Sequence, residues 1–210
     1  MKLYTFFRSS AAYRVRIALN VKGVSYEALP LHLPRGEHRQ PEFLALNPHA
    51  TVPVIDDDGV VLMQSLAIVE YLDSRFPEPR LIPLEPVRRA RVQAFAQVIA
   101  CEIHPLNNLR VLQYLRGELK LEEARVEQWV RHWIGESFRT LEALLRESAG
   151  RYCFGDELTI ADVFLVPQVF NARRFSCDLA PFPTLVRVAD TLRALPAFAR
   201  AAPEVQPDAE

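Results

Sequence analysis

The 210 residues predict an α+β chain in two parts, a small mixed sheet covered by helices followed by an all-helical half. Three observations predict it. Short β-like runs alternate with helical patterns up to about residue 75, four prolines fall within PEPRLIPLEP at 77–86, and beyond them apolar residues recur with a helical period. Half of the residues are hydrophobic and 24% are charged, with 7 glycines, which excludes a disordered, collagen-like or low-complexity chain.

The first run, Lys2 to Phe7, leads into a helical pattern over 11–21, and a second run, Val24 to Leu29, precedes a helical pattern over 38–46. Val52 to Asp56 and Val60 to Met63 are separated by Asp57-Asp58-Gly59, which reads as a hairpin turn, and a helix over 65–75 closes the segment. The order is βαβαββα. A βαβ step forces a parallel crossover and the ββ step is a hairpin, so the segment buries itself as helices on a mixed sheet, a thioredoxin-like layer arrangement. Residues 1–80 are assigned to this domain, 81–86 to a proline-rich linker and 87–210 to the helical domain.

In the second part, Val126, Trp129, Val130, Trp133, Ile134, Phe138, Leu141, Leu144 and Leu145 form a stripe spaced i, i+3, i+4, i+7, and both tryptophans read as core. Pro105 kinks or divides a helical stretch over 87–116. Thr159 and Asp162 form a Thr-x-x-Asp capping box, with Leu158 and Val163 placed as a hydrophobic staple. The tail PEVQPDAE is expected to be loosely held.

Twenty-five basic against 26 acidic side chains give a net charge of −1, without the basic excess a nucleic-acid binder needs. Neither a signal-peptide core nor a membrane-length apolar run is present, so a cytoplasmic location is expected, with no membrane partner. Cys101, Cys153 and Cys177 have neither CxxC spacing nor an even count, which argues against a disulfide framework, a zinc site or a dithiol redox motif. No metal is expected.

The blocks FFRSSAAYRVRIALNVKG, ALNPHATVPV, QSLAIVEYL, IHPLNNLRVL, YCFGDELTIADVFLVPQV and NARRF run in order along almost the whole chain. Together they resemble the zeta-class glutathione transferases, a family that includes maleylacetoacetate isomerase and bacterial maleylpyruvate isomerase. The resemblance implies glutathione transferase architecture, glutathione as cofactor and a homodimer. It also implies a cis–trans isomerase that turns maleylacetoacetate into fumarylacetoacetate in aromatic amino acid catabolism. A maleylpyruvate isomerase, a general glutathione-conjugating transferase and a non-catalytic binding module are the alternatives.

Three places in the first domain suit a bound tripeptide. A cis bond at Val52-Pro53, implied by the resemblance, would free the Val52 N–H and C=O to pair with an extended peptide, although a strand-initiating proline also explains Pro53. Ser65, after Gln64, sits where a helix N-cap belongs, and the exposed helix N–H groups can receive a carboxylate. Capping alone explains Ser65 equally; the resemblance gives Gln64 and Ser65 the γ-glutamyl end of glutathione. Ser9 and Ser10 lie between a strand and a helix, where a hydroxyl and the positive helix end favour a sulfur anion.

Ser9 is the candidate hydroxyl for the glutathione sulfur, with Ser10 assisting, and plain N-capping is the competing explanation. The family commonly reads Ser-Ser-Cys where this chain has Ser9-Ser10-Ala11, which removes a protein thiol and with it glutaredoxin-like exchange. Isomerisation does not need that thiol, because glutathione brings the nucleophile. The keto-diacid substrate calls for cations, and motif match assigns it Arg8, Arg110 and Arg174. An arbitrary arginine is usually a solvated surface residue. His38 and His104 match family positions that contact glutathione, and Asn108 is assigned with them; in the homodimer the resemblance implies, with helices around 87–116 near the interface, His104 or Asn108 reaches the partner's ligand. Arg14 and Arg16 sit two apart on one helix, so at most one of them faces the site, and neither is assigned.

Overall fold

The computed structural model describes residues 1–210, which form two compact units, Met1–Arg80 together with Ala194–Glu210, and Leu81–Arg193. The first holds β1 (Lys2–Thr5), α1 (Ser10–Lys22), β2 (Glu27–Pro30), α2 (Pro41–Leu46), β3 (Val54–Asp57), β4 (Val60–Met63) and α3 (Ser65–Arg75). The sheet order is β2-β1-β3-β4, with β1 parallel to β2 and the other pairs antiparallel. The βαβ crossover and the hairpin are both present. Asp58 and Gly59 take positive φ values of 52° and 92°, as the hairpin turn demands, and Gly59 N–H donates to Asp56 Oδ1 at 2.8 Å.

Element ends differ from expectation for local reasons. β1 stops at Thr5 because the Phe6 carbonyl turns to accept from Ser9 N–H at 3.0 Å. β3 starts after Pro53, which has no N–H to give to the ladder, and α2 starts at Pro41, favoured at a first helical position. Residues 37–39 form a separate 3₁₀ turn that carries His38.

The second unit contains α4 (Pro86–Gln97), α5 (Leu109–Gly117), α6 (Glu123–Ser148), α7 (Ile160–Arg174) and α8 (Pro183–Arg193). α4 runs into a π-helical turn, Val98–Ile103, where His104 N–H donates to Ile99 C=O. The chain then breaks at Pro105, so the proline divides the stretch and does not merely bend it. The α6 stripe buries Val126, Val130, Ile134, Phe138, Leu141 and Leu145. Trp129 and Trp133 depart from the core reading: both are half-buried, packed edge to face at 5.7 Å, and the Trp129 indole N–H donates to Leu106 C=O at 3.0 Å. An acceptor for its one polar atom accounts for the placement of Trp129, whereas the Trp133 indole nitrogen is buried without a partner.

The capping box of α7 forms, and Asp162 serves more than the cap. Its buried carboxylate accepts from Cys153 N–H at 2.8 Å, Thr159 N–H at 2.8 Å and the Thr159 hydroxyl at 3.0 Å. Burial pushes its carboxyl above the ordinary range against the pull of those donors. Asp162→Asn turns an amide N–H₂ toward at least one donor and should cost about 2 kcal/mol of unfolding free energy, read by urea titration.

The assignment of 87–210 to one helical domain and the loose tail are both corrected. Leu81 and Ile82 of the linker are buried, and Leu81 C=O accepts from Ile160 N–H, so the second unit begins there. From Ala194 onward the chain packs on the first unit through α9 (Pro196–Ala199), with Asn20 Nδ2 donating to Ala197 C=O at 2.9 Å and Phe7 N–H to Asp208 Oδ2 at 2.9 Å. Buried Phe198 and Ala201 anchor the segment ahead of PEVQPDAE, and within it Pro203 is buried and Gln206 Nε2 donates to Ala202 C=O at 2.9 Å, so the tail is held by contacts that its polar composition does not reveal.

Candidate functional site

The strand register brings the candidates of the first unit to one end of the sheet. Thr5 pairs with Pro30, Tyr4 with Val54 and Val54 with Met63, so the segments that follow β1, β2 and β4 and the one that precedes β3 all leave from the same edge. Those segments carry Arg8, Ser9 and Ser10, then His38, then Gln64 and Ser65, and finally Val52 and Pro53. Phe6, Phe7, Phe43, Val52 and Val54 form the apolar floor beneath them.

Ser9 is the N-cap of α1, accepting from Ala12 N–H at 3.2 Å. An acceptor lone pair is used and the hydroxyl proton remains available, so capping and a bond to a thiolate are compatible. Ser10 is buried as the first helical residue. Arg8 is exposed, with its guanidinium over the Phe6 and Phe7 rings at 5.7 and 5.2 Å.

Val52-Pro53 is cis, Val52 is buried, and neither Val52 main-chain polar group makes a hydrogen bond within the chain. A buried amide in that state suits an added extended strand. At α3 the cap assignment shifts by one residue. Gln64, at φ 72°, is the N-cap residue, without a side-chain cap, and Ser65 is the first helical residue. The N–H groups of the first turn therefore lack a side-chain acceptor and can receive an anion. The Ser65 hydroxyl accepts from Arg14 Nη1 at 3.2 Å.

His38 is buried with Nδ1 unpartnered, and burial, then the charge of Arg39, pushes its imidazole below the ordinary 6.5. The sign follows. Below 6.5 the unfolded chain binds a proton before the folded chain does, so stability present at neutral pH is lost as pH falls toward the folded value. His38→Gln should flatten the acid limb of the urea midpoint below about pH 6.5.

In the second unit Asn108 is the N-cap of α5, its Oδ1 accepting from Arg110 N–H at 3.3 Å, so its side chain has a structural use. His104 is half-buried after the π turn, and Arg110 is exposed. Arg174 ends α7, exposed, with its guanidinium 4.6 Å from the Phe175 ring centre; its neighbour Arg173 is tied to Asp190 at 2.7 Å.

Sequence reasoning missed Arg14 and Arg16. Both are fully buried, Arg14 toward Ser65 and Arg16 toward the β1–α1 turn. The signal was present: apolar residues surround α1 on every side, leaving no solvent face for either arginine, and buried arginines must be paired.

The glutathione S-transferase N-terminal domain model matches residues 1–74 and the C-terminal domain model residues 127–204. The chain belongs to the glutathione S-transferase family, and within it to the zeta class of maleylacetoacetate and maleylpyruvate isomerases. A probable maleylacetoacetate isomerase of Vibrio cholerae is 54% identical over 99% of this chain and 97% of its own length. A maleylpyruvate isomerase of a Ralstonia species is 49% identical over 99% of both. Among solved structures, holo maleylpyruvate isomerase, described as a bacterial zeta-class glutathione S-transferase, superposes with a TM-score of 0.98 at 48% identity over 100% of both chains. Maleylacetoacetate isomerase of Methylobacterium extorquens, with bound malonate and glutathione, gives 0.94 at 42% identity, also over 100% of both.

Proposed function

We propose that this chain is a glutathione-dependent cis–trans isomerase of maleylacetoacetate, working in aromatic amino acid catabolism. The observation that carries the reading is the common end of the sheet, where the available hydroxyl proton of Ser9, the unpaired backbone of buried Val52 and an uncapped α3 N-terminus all lie. These are the groups a thiol tripeptide needs. When bound, glutathione supplies a thiolate that adds reversibly to the cis double bond, allows rotation and leaves again.

The chain's own residues do the rest. Ser9, assisted by Ser10 and the positive end of α1, stabilises the negative sulfur. Val52, set by Pro53, pairs with the tripeptide backbone, while the α3 N-terminus with Gln64 and Ser65 takes the γ-glutamyl carboxylate. His38, His104 and Asn108 complete the glutathione contacts. Arg8, Arg110 and Arg174 hold the substrate carboxylates and the charge that develops on the keto group. The malonate bound in the Methylobacterium relative, a small dicarboxylate, supports that selectivity.

Maleylpyruvate is the second reading, supported by the 0.98 superposition on a maleylpyruvate isomerase. Parallel rates on the two keto-diacids decide between them. Free thiol titrated during turnover tests the reaction class: isomerisation keeps thiol constant, and stoichiometric loss means conjugation. Three unpaired cysteines support a cytoplasmic setting, and no helix is long and apolar enough to cross a membrane. The homodimer the family resemblance implies is read by sedimentation at assay concentration.

A further inference from the structure

The turn that presents Arg8 and Ser9 has no strand partner, because β1 ends at Thr5. Its main chain is held from two other places. Phe7 N–H donates to Asp208 Oδ2 at 2.9 Å, and Phe7 C=O accepts from Arg16 Nη2 at 2.9 Å. Arg16 Nη1 donates to Thr5 Oγ1 at 3.0 Å and Phe6 C=O at 3.3 Å, and its Nε reaches Ala201 C=O at 3.0 Å. One buried guanidinium thus joins the turn, α1 and the C-terminal segment.

Arg16 lies two helical turns after Ser9, so the cap of α1 and this hub share one face of the helix. All four oxygens that accept from Arg16 are neutral, and burial lowers its pKa to about 10, which leaves it charged at neutral pH. A buried cation of that kind tolerates the loss of an acceptor poorly. Asp208 is the nearby carboxylate that favours its charge at neutral pH, where the Tyr26 phenol, pushed up by burial, is uncharged.

We infer that the C-terminal segment braces the Ser9 turn, with Asp208 and Arg16 as positioning residues for the hydroxyl that meets the glutathione sulfur. The inference rests on the proposed role of Ser9. The bonded pairs lie 201 and 185 residues apart in sequence, so folding of the last residues governs the geometry of the ninth.

Asp208→Ala and Asp208→Asn test it, because Asp208 is half-exposed and asparagine keeps an acceptor oxygen. In the ligand-free protein, Asp208→Ala should speed amide hydrogen exchange at Phe7 and the first turn of α1 by about tenfold. With glutathione bound, the pH midpoint of thiolate ultraviolet absorbance should rise by about half a unit. On the keto-diacid, kcat should fall about fivefold while KM stays within about twofold. Asp208→Asn should restore most of each.

Faster exchange with an unmoved thiolate midpoint and kcat would make the segment a structural tether and overturn the inference. So would unchanged exchange, or an asparagine variant that behaves like alanine. A parent protein that shows no thiolate absorbance with glutathione would overturn the role of Ser9 itself, an outcome visible before any variant is made.

Discussion

Arg174→Ala is expected to lower kcat/KM on the keto-diacid by about 100-fold, the loss of one charge-assisted, bidentate carboxylate contact. Glutathione affinity measured by calorimetry should stay within about threefold, because the groups assigned to the tripeptide belong to other residues. Arg173 provides the internal control. Its guanidinium is committed to Asp190, so Arg173→Ala should leave turnover near the parental rate. Arg174→Lys keeps charge without the planar fork and should recover only about tenfold of the loss. Full activity in Arg174→Ala would remove the substrate clamp from this position.

Ser9→Ala should lower turnover about 20-fold or more at neutral pH, and the loss should shrink as pH rises. A hydrogen bond to an anion contributes about 1.5–3 kcal/mol, one to two pKa units on the sulfur. A thiol near pKa 8.5 is only about 3% ionised at pH 7, and a two-unit depression raises that roughly 25-fold. Above the free thiol's own pKa the thiolate forms unaided, so what remains of the defect there is positioning. Ser9 also caps α1, and losing the cap alone costs about 1 kcal/mol of stability. Ser9→Gly separates the two roles, since glycine retains most of the capping benefit and lacks the hydroxyl.

Features encoded within a few neighbouring residues were legible in the sequence. The Asp57-Asp58-Gly59 turn, the Thr159–Asp162 box and the aliphatic stripe of α6 each depend on spacing that the chain displays directly. At α3, a serine with strong N-cap preference was expected to cap, yet Gln64 takes the left-handed backbone needed for the tight exit from β4 and shifts Ser65 into the helix. Contacts distant in sequence were not legible. Nothing local in PEVQPDAE announces that Asp208 meets Phe7, and the half-buried placement of Trp129 depends on an acceptor at Leu106.

The candidate site divides in the same way. Ser9, Val52, Pro53, Gln64 and Ser65 stand in contiguous motifs, and strand register alone carries them to one edge. Arg14 and Arg16 act across the fold, so their importance emerges only when every face of α1 proves buried.

A glutathione-dependent isomerase needs the tripeptide for conversion and does not consume it. The most direct measurement is the initial rate on maleylacetoacetate with exhaustively dialysed protein, before and after glutathione is added back. A rate near the uncatalysed background that returns on addition, with total free thiol constant through many turnovers, is the predicted result. An undiminished rate without glutathione would contradict it.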